Sequence, residues 1–227
     1  MIGILPAAGA ATRMLRLPKM LLPVHPGTTL IERMHDQMRS ATPRKVLIGT
    51  MGLTMALLER DDWFYTRLYH AYTRTMSETV LVAKQFTTPG EIVLFGMPDT
   101  YLEDTQAFVK LKLTLEQGAD VAVGVFKTRA EQRSKLGMVK LFGGRVEAVV
   151  DKPGETDLTY AWGVVAWKAP FWEHIQPDDP HIGFALPRAI AAGGDVSAVY
   201  MNGGYWDCGT PDEYFALIAH LQGGRRD

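Results

Sequence analysis

The sequence predicts an α/β fold built on a mostly parallel sheet covered on both faces. Three observations carry this expectation. Short apolar runs alternate with helix-length segments from the first residues to about residue 126. Two Thr-x-x-Glu boxes, Thr29 to Glu32 and Thr75 to Glu78, mark helix starts inside that stretch. After Lys127 the alternation gives way to hairpin signals, so a small antiparallel insertion is expected in the second half.

Taken in order, residues 2–6 read as a buried strand, followed by a loop of small residues over 7–12. The Thr29 box opens a helix toward Arg39, residues 45–50 read as a strand, and 51–60 as a helix. The Thr75 box lies just ahead of Val80-Leu81-Val82. Residues 91–95 form a strand, 105–116 a helix and 120–126 another strand. Residues 138–142 and 145–150 flank Gly143-Gly144, a pair suited to the positive φ angles of a tight hairpin turn. A strand over 160–167, a helix over 184–192 and a strand over 196–201 follow. Thr210, Pro211 and Glu213 supply a cap, a proline at the first helical position and an acid at the third, so the last helix starts there. A single domain over residues 1–222 with a frayed tail at 223–227 is the economical reading.

Composition excludes some classes. The chain of 227 residues is 47% hydrophobic, enough to bury a core without covalent staples. A net charge of −1 argues against a sequence-independent nucleic-acid binder. No apolar run reaches membrane-spanning length, and the first residues lack the basic head and apolar stretch of a secretory signal. The single cysteine, Cys208, cannot form an intrachain disulfide, and a cytoplasmic location is expected. The six histidines show no metal-binding spacing and read as surface or core residues.

Three segments hold chemistry. Ala7-Ala8-Gly9-Ala10-Ala11-Thr12-Arg13 is a loop of small residues through which a backbone can approach a phosphate, with Arg13 and then Lys19 supplying positive charge. It is neither a Walker A loop nor a G-x-G-x-x-G loop. A tight strand exit with both cations solvated is an equally good reading on spacing alone. Asp99 closes Gly96-Met97-Pro98-Asp99 at the carboxyl end of a strand, where ligands of open sheets gather; an acid opening a turn is the plainer account. Asp104 nearby reads as a helix cap rather than a ligand. Asp207 stands in Gly203-Gly204-Tyr205-Trp206-Asp207-Cys208-Gly209, just before the last helix, and capping alone does not explain that order of residues.

These segments resemble the signatures of the sugar nucleotidylyltransferases, the family of glucose-1-phosphate thymidylyltransferase and its uridylyl and cytidylyl relatives. The resemblance runs from Gly3 to Tyr214. It implies a Rossmann-like nucleotidyltransferase fold and transfer of a nucleotide from a nucleoside triphosphate to a sugar 1-phosphate, with Mg²⁺ as cofactor and release of pyrophosphate. Carried over residue by residue, the loop from Ala7 to Thr12 binds the triphosphate, Arg13 and Lys19 contact phosphates, and Asp99 and Asp207 are the metal ligands. Ser77 and Thr79 fall where the family reads the base, although helix capping explains that segment as well. Gly137, Asp151-Lys152 and Gly163 fall where the family holds the sugar phosphate. The sequence departs from the family pattern at Ala11, where glycine is usual, at Pro98, and at Asp151, where the family has glutamate. The stretch from Arg13 to Lys19 is closer in length to that of cytidylyltransferases of isoprenoid synthesis. The alternatives are a CTP-dependent enzyme acting on an alcohol phosphate and a regulatory subunit that binds nucleotide sugars without turnover. A glycosyltransferase is disfavoured because no Asp-x-Asp motif is present.

Overall fold

The computed structural model describes residues 1–9, 18–57, 63 and 65–223. Its strands are β1 (Ile2–Ala7), β2 (Pro23–His25), β3 (Thr28–Thr29), β4 (Lys45–Gly49), β5 (Thr66–His70), β6 (Val93–Gly96) and β7 (Thr100–Leu102) in the first half. The second half adds β8 (Val121–Lys127), β9 (Gly137–Phe142), β10 (Arg145–Asp151), β11 (Tyr160–Trp167), β12 (Val196–Tyr200) and β13 (Tyr205–Asp207). The helices are α1 (Leu30–Arg39), α2 (Met51–Leu57), α3 (Met76–Ala83), α4 (Ala107–Glu116), α5 (Ala185–Ala191) and α6 (Pro211–Gly223).

Local chemistry fixes the helix starts. Thr29 and Glu32 exchange hydrogen bonds with each other's backbone amides, so two of the otherwise orphaned N–H groups of α1 are satisfied. Thr75 accepts from the Glu78 amide at 3.0 Å, while the Glu78 carboxylate turns to the amide of Arg74 instead. At α6 the Thr210 hydroxyl accepts from the Glu213 amide at 3.4 Å and donates to the Glu213 carboxylate at 3.1 Å, a cap without the carboxylate-to-amide half of a box.

Nine strands among the described residues form one sheet in the order β5-β4-β1-β6-β11-β8-β12-β10-β9. Alternation along each strand sends side chains to opposite faces. Leu5, Leu47 and Leu94 pack with Met34, Met38, Phe108 and Leu111 of α1 and α4. Ile4, Val46, Ile48 and Phe95 pack on the other face with Val80 of α3, Leu186 of α5 and Trp167. The sheet is therefore covered on both sides, as its apolar runs require.

The expected predominance of parallel pairing is corrected. Strands β5, β4, β1 and β6 are parallel to one another, as are β8 and β12, but β11 runs antiparallel to both β6 and β8. Between β8 and its neighbour β11 the chain carries the β9–β10 hairpin and no α-helix, the usual crossover that parallel neighbours need. Nor is the hairpin a separate insertion: β10 pairs with β12 and β9 with β11, so both extend the main sheet. Gly143 and Gly144 make its turn at φ of 56° and 80°.

Two three-residue strands outside this sheet position the site. β13 pairs antiparallel with β7, placing Asp207 opposite Thr100 and Trp206 opposite Tyr101. Behind them Val24, Leu30, Tyr101, Trp206, Cys208 and Leu217 form a small core under α6. Residues 224–227 of the expected tail, and residues 58–60 of the second expected helix, lie outside the described residues. Among the described residues no helix is long and apolar enough to cross a membrane.

Candidate active site

Strand β1 has β4 on one side and β6 on the other, both parallel to it, so the chain leaves β1 and β6 in opposite directions across the sheet. A crevice opens at the carboxyl ends of such strands. A cavity of about 200 Å³ lies there, lined by Ala7, Ala8 and Gly9 after β1, Pro98 and Asp99 after β6, Lys19, and Thr73 to Met76 with Thr79 around the start of α3. Ala10, Ala11, Thr12 and Arg13 lie outside the described residues. Thr79 faces this cavity with its hydroxyl bonded to Thr73 at 2.6 Å and to the Thr75 carbonyl at 3.0 Å. Ser77 is fully buried and does not line it.

A second cavity, of about 260 Å³, adjoins the first. Its walls include Lys135, Gly137, Asp151, Lys152, Trp162, His181, Tyr205 and Asp207. Lys19, Met76 and Asp99 line both cavities, which places a lysine and a carboxylate at their junction. The Lys19 ammonium is ion-paired with Asp99 Oδ2, and both side chains are largely buried.

Asp99 and Asp207 meet because of the β7–β13 ladder. Asp207 ends β13 opposite Thr100, and the Cys208 amide donates to the Asp99 carbonyl at 3.2 Å. Burial pushes the Cys208 thiol up to about 12, and the carboxylates of Asp207 and Asp99 are both close enough to push it further. The same burial and the same two acids raise the Tyr205 hydroxyl. Cys208 therefore stays a thiol and is no nucleophile at neutral pH. Asp104 is not part of this pair. It is tied to the Lys110 ammonium at 2.5 Å and to the amides of Asn202 and Gln106, a structural anchor at the start of α4.

The lining of the second cavity is shaped by backbone demands. Lys152 has φ of 44°, the one non-glycine residue with positive φ among those described. Such strain costs about 1–3 kcal/mol and persists where surrounding structure imposes it. Lys152→Gly is expected to keep or raise stability by up to about 1 kcal/mol while weakening phosphorylated-acceptor binding. Equilibrium denaturation and acceptor KM check the two halves separately.

A Cβ on Gly137 would fall well inside contact distance of the Trp162 indole nitrogen, and Trp162 is only 5% exposed. Gly137→Ala should cost about 1–3 kcal/mol by overpacking and displace Trp162 from the cavity wall, measurable as a lower denaturation midpoint with altered tryptophan emission. Gly163 sits at a register shift in β11 and does not line the cavity. A Cβ there would lie 2.5 Å from the Tyr205 ring, so its absence makes room for Tyr205, which does line it.

His181 is the residue that sequence reasoning missed. Its Nδ1 accepts from the Gly183 amide at 3.2 Å, which leaves the proton on Nε2, and Nε2 donates to Asp151 Oδ1 at 3.1 Å. Burial lowers its pKa, with Lys152 adding to the lowering and Asp151 and Asp179 opposing it, so the ring is neutral at pH 7. No local signal marks it, since Asp151 lies thirty residues upstream.

Two adjoining cavities thus share a lysine and a carboxylate at the carboxyl ends of the parallel strands β1 and β6. The chain belongs to the MobA-like NTP transferase family, whose domain matches residues 3–176. No protein of curated function matches the chain by sequence. Its fold is shared with the Bacillus anthracis protein assigned as a glucose-1-phosphate thymidylyltransferase and solved with sucrose, at a TM-score of 0.83 and 16% identity over 98% of this chain and 96% of that one. A UDP-glucose pyrophosphorylase solved with UDP-glucose superposes at 0.78 with 17% identity over 99% of each chain. The inositol-1-phosphate CTP transferase of T. maritima superposes at 0.76 with 16% identity over 98% of this chain and 96% of that one.

Proposed function

We propose that the protein transfers a nucleoside monophosphate from a nucleoside triphosphate to a sugar 1-phosphate, giving a nucleotide sugar and pyrophosphate. The observation that carries this reading is the pair of cavities sharing Lys19 and Asp99. A phosphate oxygen of the acceptor attacks the α-phosphorus, the bond to the β-phosphate oxygen breaks, and pyrophosphate leaves with those electrons. Two anions must be brought together, so the residues act by positioning and by offsetting charge.

The cavity behind Ala7, Ala8 and Gly9 takes the triphosphate. Lys19, at the junction, offsets charge that grows on the pyrophosphate, and Arg13 is assigned the same task. Lys152 meets the acceptor phosphate and Asp151 its hydroxyls. Asp99 and Asp207 offer an all-oxygen donor pair that suits Mg²⁺. Among the described residues no group of three acidic, histidine or cysteine side chains is placed to hold a metal, so an ion here would have to be completed by substrate phosphates and water. When bound, Mg²⁺ supplies Lewis-acid polarisation of phosphate oxygens.

The deciding experiment incubates the protein with Mg²⁺, each of UTP, dTTP and CTP, and each of glucose 1-phosphate, inositol 1-phosphate and phosphocholine. Pyrophosphate should appear only with all three components present and with a sugar phosphate as acceptor. Turnover with inositol 1-phosphate or phosphocholine alone would move the protein to the alcohol phosphates. Nucleotide binding without turnover across the panel would make it a regulatory subunit.

A further inference from the structure

Asp151 ends β10 at the wall of the acceptor cavity, and its one hydrogen-bond partner among the described residues is the Nε2–H of His181. That bond is made by Oδ1, so Oδ2 and the second lone pair of Oδ1 are available to a ligand.

His181 itself is held from several sides. The Gly183 amide occupies its Nδ1 and thereby selects the Nε2–H tautomer. The Trp162 ring packs against it at 5.4 Å between centroids and the Phe184 ring at 4.9 Å. Gly183 has no room for a side chain: a Cβ would lie 2.6 Å from Trp162 and 2.8 Å from His181 Nδ1. A ring fixed in place and in tautomer is an unusual provision for a histidine whose only other task is to cap a three-residue turn.

We propose that His181 is a specificity-determining positioning residue, which orients Asp151 so that its open oxygens accept hydrogen bonds from a hydroxyl of a cyclic polyhydroxylated acceptor phosphate. This rests on the two-substrate reading above and names what its acceptor half selects. A hydrogen-bonding site built this way rejects an acceptor lacking the hydroxyl far better than an apolar pocket could, because such an acceptor would cover the part-buried carboxylate and leave its open oxygens without a donor. It also disfavours phosphocholine, which offers no hydroxyl.

The test uses the full chain with Mg²⁺ and whichever triphosphate and sugar phosphate the wild type turns over best, together with deoxy analogues of that sugar phosphate. His181→Ala should raise the acceptor KM roughly tenfold or more while leaving the triphosphate KM within about twofold. The preference for hydroxylated over deoxy acceptor should shrink by a similar factor. His181→Gln, whose amide N–H can reach the place of Nε2–H, should recover most of both, and it serves as the main variant if the alanine chain does not fold. In an Asp151→Asn background, removing His181 should add little. An unchanged acceptor KM, equal increases for both substrates, or preserved discrimination in His181→Ala overturns the inference and leaves the transferase reading standing. Absence of wild-type turnover with every phosphorylated acceptor overturns both.

Discussion

Asp99→Asn and Asp207→Asn are each expected to lower kcat/KM by about 10²–10³ or more, a loss of about 2.7–4 kcal/mol or more, by analogy with one lost donor in an oxyanion hole. Each substitution keeps the volume and removes a full negative charge from a site that suits a hard cation. The double variant should be scarcely worse than either single one, because residues that act as one unit are not additive. Raising Mg²⁺ should recover part of the binding and little of kcat. Pyrophosphate-release kinetics across a Mg²⁺ series measure all of this. Full activity in Asp207→Asn beside an inactive Asp99→Asn would reduce Asp207 to a loop residue before α6. A transferase with one carboxylate would then remain.

Lys19→Ala should reduce kcat/KM by roughly 10². Because Lys19 lines both cavities, its removal should be felt with every triphosphate and every acceptor alike. Lys152 and His181 line only the acceptor side and should not share that pattern. Lys19→Arg should restore only part of the rate, since a planar guanidinium does not replace a compact ammonium against Asp99. Near-normal activity of Lys19→Ala would show that the Lys19–Asp99 pair is structural, and a double-mutant cycle on stability would then report the size of that role.

What the sequence made legible was what is local. The caps at Thr29, Thr75 and Thr210 act over four residues, so their patterns could be read directly and the helices begin beside them. The apolar run at 160–167 was readable as a strand, but its direction was not. Pairing direction depends on what it lies beside, and β6 and β8 are far away in the chain. Strands β7 and β13 escaped notice because three residues carry no usable alternation. Strand β5 was missed because Thr66, Arg67 and His70 sit at a sheet edge where polar side chains are tolerated. Among the site residues, Lys19, Asp99, Gly137, Asp151, Lys152 and Asp207 line the two cavities, and the roles assigned to them rest on the resemblance. Gly163 serves a bulge one layer behind, and the role of His181 depends on a contact that no spacing encodes.

The β7–β13 ladder also has a temporal meaning. Asp207 is synthesised about a hundred residues after Asp99, so at ribosomal speeds of about 5–20 residues per second the two acids are separated by roughly 5–20 s. During that interval the strands before β13 can begin to pair while Asp99 still lacks its neighbour across the ladder. The ladder closes only when β13 emerges, and α6 then packs against it. Under the proposed function, turnover would begin only once β13 has paired with β7.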